Sequence, residues 1–350
     1  MVSGSARGIG EAIRACYTTR EGETWPDLRN RVMAQLRRTV PIDAAFVATA
    51  DPETLLFSSG WQDEPLRPWG PAFVDAEFAS APDVNRFADL VRAARTASTL
   101  DEATGGDRSM STRWRTIMAP MGLGDELRVV LHTSSATWGY LCLHREGASS
   151  FSPEEVTALE QLAPHAAEAI RRTMPVLAPA APHDGGLLLC DDDLLVSWSE
   201  GGSDMLQRLD GRAVLGDPLP LVLRSVVRRL EAIERDPDGA GRAAAGLVVT
   251  RDGSVIAVHA SRLTGRDGDG GIALSLSPAT GPSFVGMRLA ALGLTPAQVR
   301  VARSVLRGLS TREIMRDLHI SQHTVQDHMK AIFDRTGVRS RRELVATLMR

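Results

Sequence analysis

Four groupings in this 350-residue sequence have residue types and spacing that could do chemistry. Glycines 4, 8 and 10, in VSGSARGIGEA, would let backbone approach a pyrophosphate at a helix N-terminus with no side chain in the way. Asp191, Asp192 and Asp193 follow the apolar run GLLLC, where acidic metal ligands would sit. Cys142 and His144 share one strand face, with His132 ten residues before Cys142. Near the C-terminus, Gln326, Asp327 and Lys330 stand at helical spacing and carry donors and acceptors that match base edges.

The basic residues remove several of these possibilities. Of 40 Lys and Arg, 39 are Arg, and Lys330 is the single lysine. A P-loop, a protein kinase and a pyridoxal enzyme each need a lysine in a context Lys330 lacks, since it follows Met329. The opening glycines resemble the cofactor turn of short-chain dehydrogenases. That family also needs Tyr-x-x-x-Lys, and the residue four before Lys330 is Gln326. Only Met1, Val2 and Ser3 precede the first glycine, too few for the strand such a turn follows. An NAD(P)-dependent oxidoreductase is therefore the weaker alternative, and residues 1–27 read as a tail leading into a helix near Glu11 to Thr18. A phosphoacceptor receiver fails for want of a later strand lysine, which leaves Asp191 to Asp193 as a solvated turn. No further ligand spacing accompanies His132, Cys142 and His144, so neither metal nor cofactor is expected, and the chain reads as a non-enzyme.

With 43% hydrophobic and 24% charged residues, the composition is that of a soluble multidomain protein. No apolar run approaches the roughly 20 residues of a membrane helix, and no signal-peptide pattern opens the chain. Three isolated cysteines, Cys16, Cys142 and Cys190, fit a reducing cytoplasm. Proline- and glycine-rich stretches at 174–186 and 277–283 read as linkers. They divide the chain into modules over 28–174, 185–276 and 286–350.

The first module runs from a helical pattern (Leu28, Val32, Leu36) into the strand-like DAAFVATAD, and later into a hairpin at 126–145. Ser152, Pro153 and Glu155 then open a long helix whose stripe is Val156, Leu159, Leu162, Ala166 and Ile170. WGYLCLHR followed by FSPEEVTALEQLAPHAAEAIRR resembles the closing strand and helix of GAF-type sensor domains. The resemblance implies a small-molecule cavity between sheet and covering loops, or a dimerisation unit. Trp61, Phe78, Trp114, Trp138 and Tyr140 are the candidate lining. The middle module, with strands at GLLLC, LLVSWS, LVVTRDGSVIAVHASRL and GIALSLS and a helix near Leu221 to Ile233, is similar in order to a PAS-like module, with Asp252-Gly253 at a hairpin turn.

The last module carries successive helix-start signals. Thr295 with Gln298, Ser310 with Glu313, and Ser340 with Glu343 place a hydroxyl three residues before an acidic or amide side chain, and Ser321 caps a further helix. With Gly308 and Gly337 as stops, four helices follow at 296–307, 311–318, 322–336 and 341–349. The second and third are separated by a helix-turn-helix connection. On the third, Val325, Met329 and Ile332 form an apolar stripe, opposite His323, Asp327, Lys330 and Asp334. Residues 285–350 hold eleven Arg and one Lys against five acids, a charge of +7, whereas the other 284 residues carry −10.

These residues closely resemble a LuxR-type helix-turn-helix domain: L-T-P-A-Q at 294–298, G-L-S-T-R-E-I at 308–314, I-S-x-x-T-V-x-x-H from Ile320 to His328, and G-V-R-S-R-x-E-L at 337–344. The fold expected is thus multidomain: an α+β GAF-like sensor, an α+β PAS-like middle module and an all-α four-helix C-terminal helix-turn-helix domain. The resemblance implies that Gln326, Asp327 and Lys330 approach base edges, while Thr324 and His328 hold phosphates. His323, Arg335, Arg339, Arg341 and Arg342 are the further phosphate candidates. Met315 and Thr336 depart from the family pattern, and Asp327 and Asp334 add negative charge, so weak binding by the isolated segment is expected, strengthened in a homodimer on an inverted repeat of double-stranded DNA. RNA polymerase and a small-molecule effector are the other expected partners, and no membrane is. A protein-binding scaffold is the alternative from another class.

Overall fold

The computed structural model describes residues 2–18, 23–78, 83–174, 184–191, 193–209, 211, 213–236, 243–265 and 268–349. Helices α1 (Val2–Tyr17) and α2 (Trp25–Leu36) precede strands β1 (Ala44–Ala50) and β2 (Phe57–Gln62). Short helices α3 (Gly70–Phe78) and α4 (Phe87–Arg92), strand β3 (Ala97–Thr99), α5 (Leu100–Thr104), the hairpin β4 (Leu123–His132) and β5 (Thr137–Glu146), and α6 (Pro153–Thr173) complete the first module. Its five strands form one antiparallel sheet in the order β2-β1-β5-β4-β3.

Strand alternation sends Val47, Val129, Leu141 and Leu143 to one face, under α1, α2 and α6, and Ala48, Val130, Tyr140 and Cys142 to the other. Ser152 accepts from the Glu155 amide at 3.3 Å and Glu155 accepts from the Ser152 amide at 2.8 Å, so the expected capping box starts α6. A clear difference from the sequence reading lies at the N-terminus. The glycine stretch is part of a continuous helix, with Ile9 and Ala12 buried, and not a tail or a turn. A Cβ at Gly8 would lie 1.8 Å from Thr39 Oγ1, so this glycine lets α1 pass close to the end of α2.

The middle module comprises β6 (Gly186–Asp191), β7 (Leu194–Trp198), α7 (Glu200–Leu209), α8 (Leu221–Arg235), β8 (Ala245–Val249), β9 (Val255–Gly265) and β10 (Gly268–Pro278). Its antiparallel sheet has the order β7-β6-β10-β9-β8, the same second-first-fifth-fourth-third arrangement as the first sheet. Gly253, at φ +82°, makes the β8–β9 turn. The two modules are not separated by solvent. Leu247 and Val255 join the α6-side core of the first module, and Leu223, Val226 and Val227 of α8 join its other core.

The segment 277–283 also differs from a free linker, because Ala279 is buried and Pro282 opens helix α9 (Pro282–Ala291). This helix has two apolar faces: Phe284, Met287 and Ala291 pack into the first module's core, and Leu289 into the C-terminal core. Most of the other stretch read as a linker, 174–186, lies outside the described residues. The last module is α10 (Pro296–Leu306), α11 (Thr311–Leu318), α12 (Gln322–Thr336) and α13 (Arg341–Leu348) around Val301, Ile314, Val325, Ile332 and Leu344.

Candidate functional site

The C-terminal surface is set first by its caps. Thr295, Ser310, Ser321 and Ser340 each accept a hydrogen bond from the backbone amide three residues on, at 3.1–3.4 Å. Each such cap contributes about 1 kcal/mol. The boxes at Thr295 and Ser310 are reciprocal, but Glu343 accepts from the Arg339 amide at 2.8 Å and not from Ser340. His319 takes the left-handed conformation, φ +53°, and makes the tight corner between α11 and α12.

Val325, Met329 and Ile332 are buried, which turns His323, Gln326, Asp327, Lys330 and Asp334 outward. Gln326 and Lys330 line an open groove of about 510 Å³ with Thr311, Val338 and Arg341. His323 Nε2 lies 3.5 Å from Asp327 Oδ2, so the acid on this face is partly engaged by its own helix. Thr324 and His328 are half-buried at its margin. Thr336 donates to the Ile332 carbonyl at 2.8 Å, so its hydroxyl is satisfied where it departs from the apolar stripe.

The phosphate candidates divide in two. Arg335 donates to the Gly293 carbonyl at 2.6 Å, and Arg341 donates to the Leu309 carbonyl at 3.1 Å and to Thr311 Oγ1 at 3.0 Å. Both act as internal clamps, a role that spacing along one helix does not reveal. Arg339 and Arg342 are exposed, with no side-chain partner among the described residues. Arg312 and Arg316 on α11 and Arg300 on α10 are exposed as well. The basic surface is therefore broader than the arginines picked from the sequence, and the amphipathic pattern of α11 is the signal that points to Arg312 and Arg316.

The first module holds a second, buried constellation. Glu126 accepts from Arg113 Nη2 at 2.6 Å and from Arg128 Nε at 2.9 Å, and Arg128 also bonds Glu77. Cys142 Sγ lies 3.2 Å from Glu126 Oε1 and 3.4 Å from His144 Nε2. Burial alone would raise the Glu126 carboxyl, yet the two guanidinium groups hold it below the usual carboxylate range. Burial drives the His144 imidazole down to about 4 against the pull of Glu126, and drives the Cys142 thiol well up. Ligand-type atoms of Glu126, Cys142 and His144 fall within 4.8 Å of one another. Two guanidinium groups already occupy the carboxylate of that trio and oppose a cation there. His132 is elsewhere, 3.1 Å from Thr96 Oγ1.

Beside this network, between the sheet and α3, lies a small cavity whose walls include Phe46, Phe57, Phe73 and Phe87. Trp61, Phe78, Trp114, Trp138 and Tyr140, the five aromatic residues expected to line a pocket, are not on the wall of this cavity. Phe78 and Tyr140 pack behind Phe57, at ring separations of 5.1 and 5.8 Å. Trp61 and Trp138 belong to the opposite, α6-side core, Trp138 because the register irregularity between Leu131 and His132 turns it across the sheet. Trp114 donates to the Gly124 carbonyl at 3.1 Å in a separate cluster.

Fold and surface together define a helix-turn-helix module joined to two α+β modules, the first with a cavity beside a buried polar network. Residues 292–348 match the family described as bacterial regulatory proteins, luxR family, and residues 27–170 match the GAF domain. The chain thus carries a luxR-type helix-turn-helix domain at its C-terminal end and a GAF domain at its N-terminal end. Among solved structures it is similar to SdiA of Escherichia coli, at 11% identity over 97% of this chain and 94% of that one, TM-score 0.34. It is also similar to the LBD domain of VqsR from Pseudomonas aeruginosa, at 16% identity over 48% of this chain and 94% of that one, TM-score 0.30. No curated protein matches the sequence. Among the described residues no helix is long and apolar enough to cross a membrane.

Proposed function

We propose that this protein is a cytoplasmic, sequence-specific regulator of transcription that binds double-stranded DNA as a homodimer and is governed by a small molecule at its sensor module. The observation that carries the reading is the division of α12, with Val325, Met329 and Ile332 buried beneath an open face of Gln326, Asp327 and Lys330. A major groove admits such a helix. Gln326 pairs with an adenine edge, Lys330 with guanine, and Asp327 accepts from a cytosine amino group, each worth about 1–3 kcal/mol of discrimination. Thr324, His323 and His328 face the backbone beside them, and Arg339 and Arg342 neutralise phosphates. Two copies on an inverted repeat double the contact, and RNA polymerase is the partner through which occupancy changes transcription.

The test is selection of random double-stranded DNA by the full-length protein and by a Gln326→Ala/Lys330→Ala variant at one fixed salt concentration. A palindromic motif enriched by the wild type and altered in the variant is the expected result. Binding without sequence preference, equal in both proteins, would remove base readout and favour a protein-binding scaffold.

A further inference from the structure

The cavity beneath α3 takes part of its wall from a residue of a different module. Leu221, the first residue of α8, lies on its wall. It sits so close to the start of α3 that a Cβ on Gly70 would be 3.2 Å from Leu221 Cδ1. One turn further along α8, Arg224 holds Asp75 of α3 through a bidentate pair at 2.7 and 2.6 Å, and Arg228 donates to the same carboxylate at 2.7 Å. Arg224 and Arg228 also bond Asp193, so this residue of the supposed solvated turn anchors the joint instead. The cavity holds about 30 Å³, room for water but not for a ring.

Its chemistry is specific. Four phenylalanines supply much of the wall, and each charged group on or behind it already has an opposite partner, Arg113 with Asp83 and Glu126, and Arg128 with Glu126 and Glu77. Neither an anion nor a cation finds an uncompensated partner there. Of the buried polar atoms without a hydrogen-bond partner among the described residues, Arg113 Nε lies in the network behind the cavity, and Nδ1 of His144, a residue 1% exposed, is the one that belongs to the cavity wall. Leaving such an atom unsatisfied is costly, and a ligand hydroxyl or amide would satisfy it.

From these observations we infer that the cavity is a binding site for a neutral, single-ring aromatic molecule bearing one hydrogen-bonding group, and that Leu221 is its plug. Phenylalanine faces take the ring, and His144 Nδ1 takes the polar group. Since the closed cavity is too small, the ring enters only as Leu221 leaves, which draws α8 away from α3 and loosens the joint between the sensor and middle modules. Binding and joint opening are then one equilibrium. This inference rests on the sensor half of the proposed function and names its ligand class.

The experiment titrates the full-length protein calorimetrically with phenol, with toluene and benzoate as controls, and follows deuterium exchange over residues 221–228 with and without phenol. Phenol is expected to bind more tightly than toluene, benzoate not to bind, and exchange at 221–228 to quicken. Leu221→Ala removes the plug and tightens phenol by about fivefold, since less of the binding energy is spent on opening. Leu221→Trp fills the cavity and blocks binding, and His144→Phe erases the preference for phenol over toluene. Absence of phenol binding in both wild type and Leu221→Ala, full binding by Leu221→Trp, or unaltered exchange at 221–228 each overturns the inference. DNA selection with the same preparations keeps the two readings apart: motif enrichment without phenol binding sinks only this inference, while phenol binding without enrichment sinks the regulator reading and leaves the site standing.

Discussion

Arg339 and Arg342 have no side-chain partner among the described residues, whereas Arg335 and Arg341 are committed to backbone carbonyls. Under the proposed function, removing the free pair changes DNA affinity without touching the core. An Arg339→Ala/Arg342→Ala variant is expected to bind all sequences more weakly and to lower the slope of log affinity against log salt by about 2, as measured by fluorescence anisotropy across salt concentrations. Arg335→Ala is a different kind of change, because it frees the Gly293 carbonyl at the corner before α10. At His144 the consequence is one of pH. Its folded value of about 4 lies below its ordinary 6.5, so the unfolded chain binds the proton more readily. The neutral, buried form is favoured above the ordinary value, and that advantage is lost as pH falls from 6.5 towards 4. Thermal melts at pH 7 and pH 5 should show about 1–2 kcal/mol more acid destabilisation in the wild type than in His144→Phe. Equal losses in the two proteins would place the titrating group elsewhere.

Among the elements, α1 and the β1–β2 turn carry the most consequence. Gly8 has space for nothing larger, since Thr39 occupies the position its Cβ would take. Gly8→Val is expected to force α1 off the end of α2 and cost about 1–3 kcal/mol of stability, read by denaturant melts. If the variant keeps wild-type stability, α1 does not pack there. The β1–β2 turn is built around Asp51, 2% exposed, whose carboxylate accepts from the Glu53 amide at 3.0 Å, Thr54 Oγ1 at 2.9 Å and the Leu247 amide of the middle module at 3.2 Å. Burial raises this carboxyl despite those donors. Leu55 pays for the tight turn with φ +63°, and its carbonyl accepts from Tyr140 OH at 3.0 Å, so the turn is held from inside the sheet as well.

Over the whole molecule, that turn meets all three modules. It reaches the middle module through Leu247, and Glu53 pairs with Arg303 of α10 while packing against Gly286 of α9. Arg303 is 52% exposed and Glu53 38%, so the pair contributes less than about 1 kcal/mol to stability. Its role is orientation: Glu53→Lys should leave the melting temperature within a degree or two and yet free the C-terminal module. Small-angle scattering would register that release as a larger radius of gyration. An unchanged radius would assign the docking to the apolar face of α9 alone. The charge division works at the same scale, with a net −10 over the first 284 residues and +7 over residues 285–350.

What the sequence determined by itself is what depends on neighbours a few residues away. The caps at Ser152, Thr295, Ser310 and Ser321, the stripe of Val325, Met329 and Ile332, and the luxR-like spacing from Ile320 to His328 are local facts, and they appear in the folded chain where spacing puts them. Tertiary structure decided whatever depends on distant partners. Whether an arginine is free, like Arg342, or spent, like Arg341, turns on a carbonyl 32 residues away. Which aromatics face the cavity turns on strand register, and a single irregularity sends Trp138 to the far side of the sheet. Gly8 reads as a phosphate turn until Thr39 is found against it. Leu221 becomes the plug of a cavity in another module only when α8 docks on α3. The physical reason is that helical and strand periodicity act over one or two turns of chain, while side-chain contacts join segments that the sequence separates by tens to hundreds of residues.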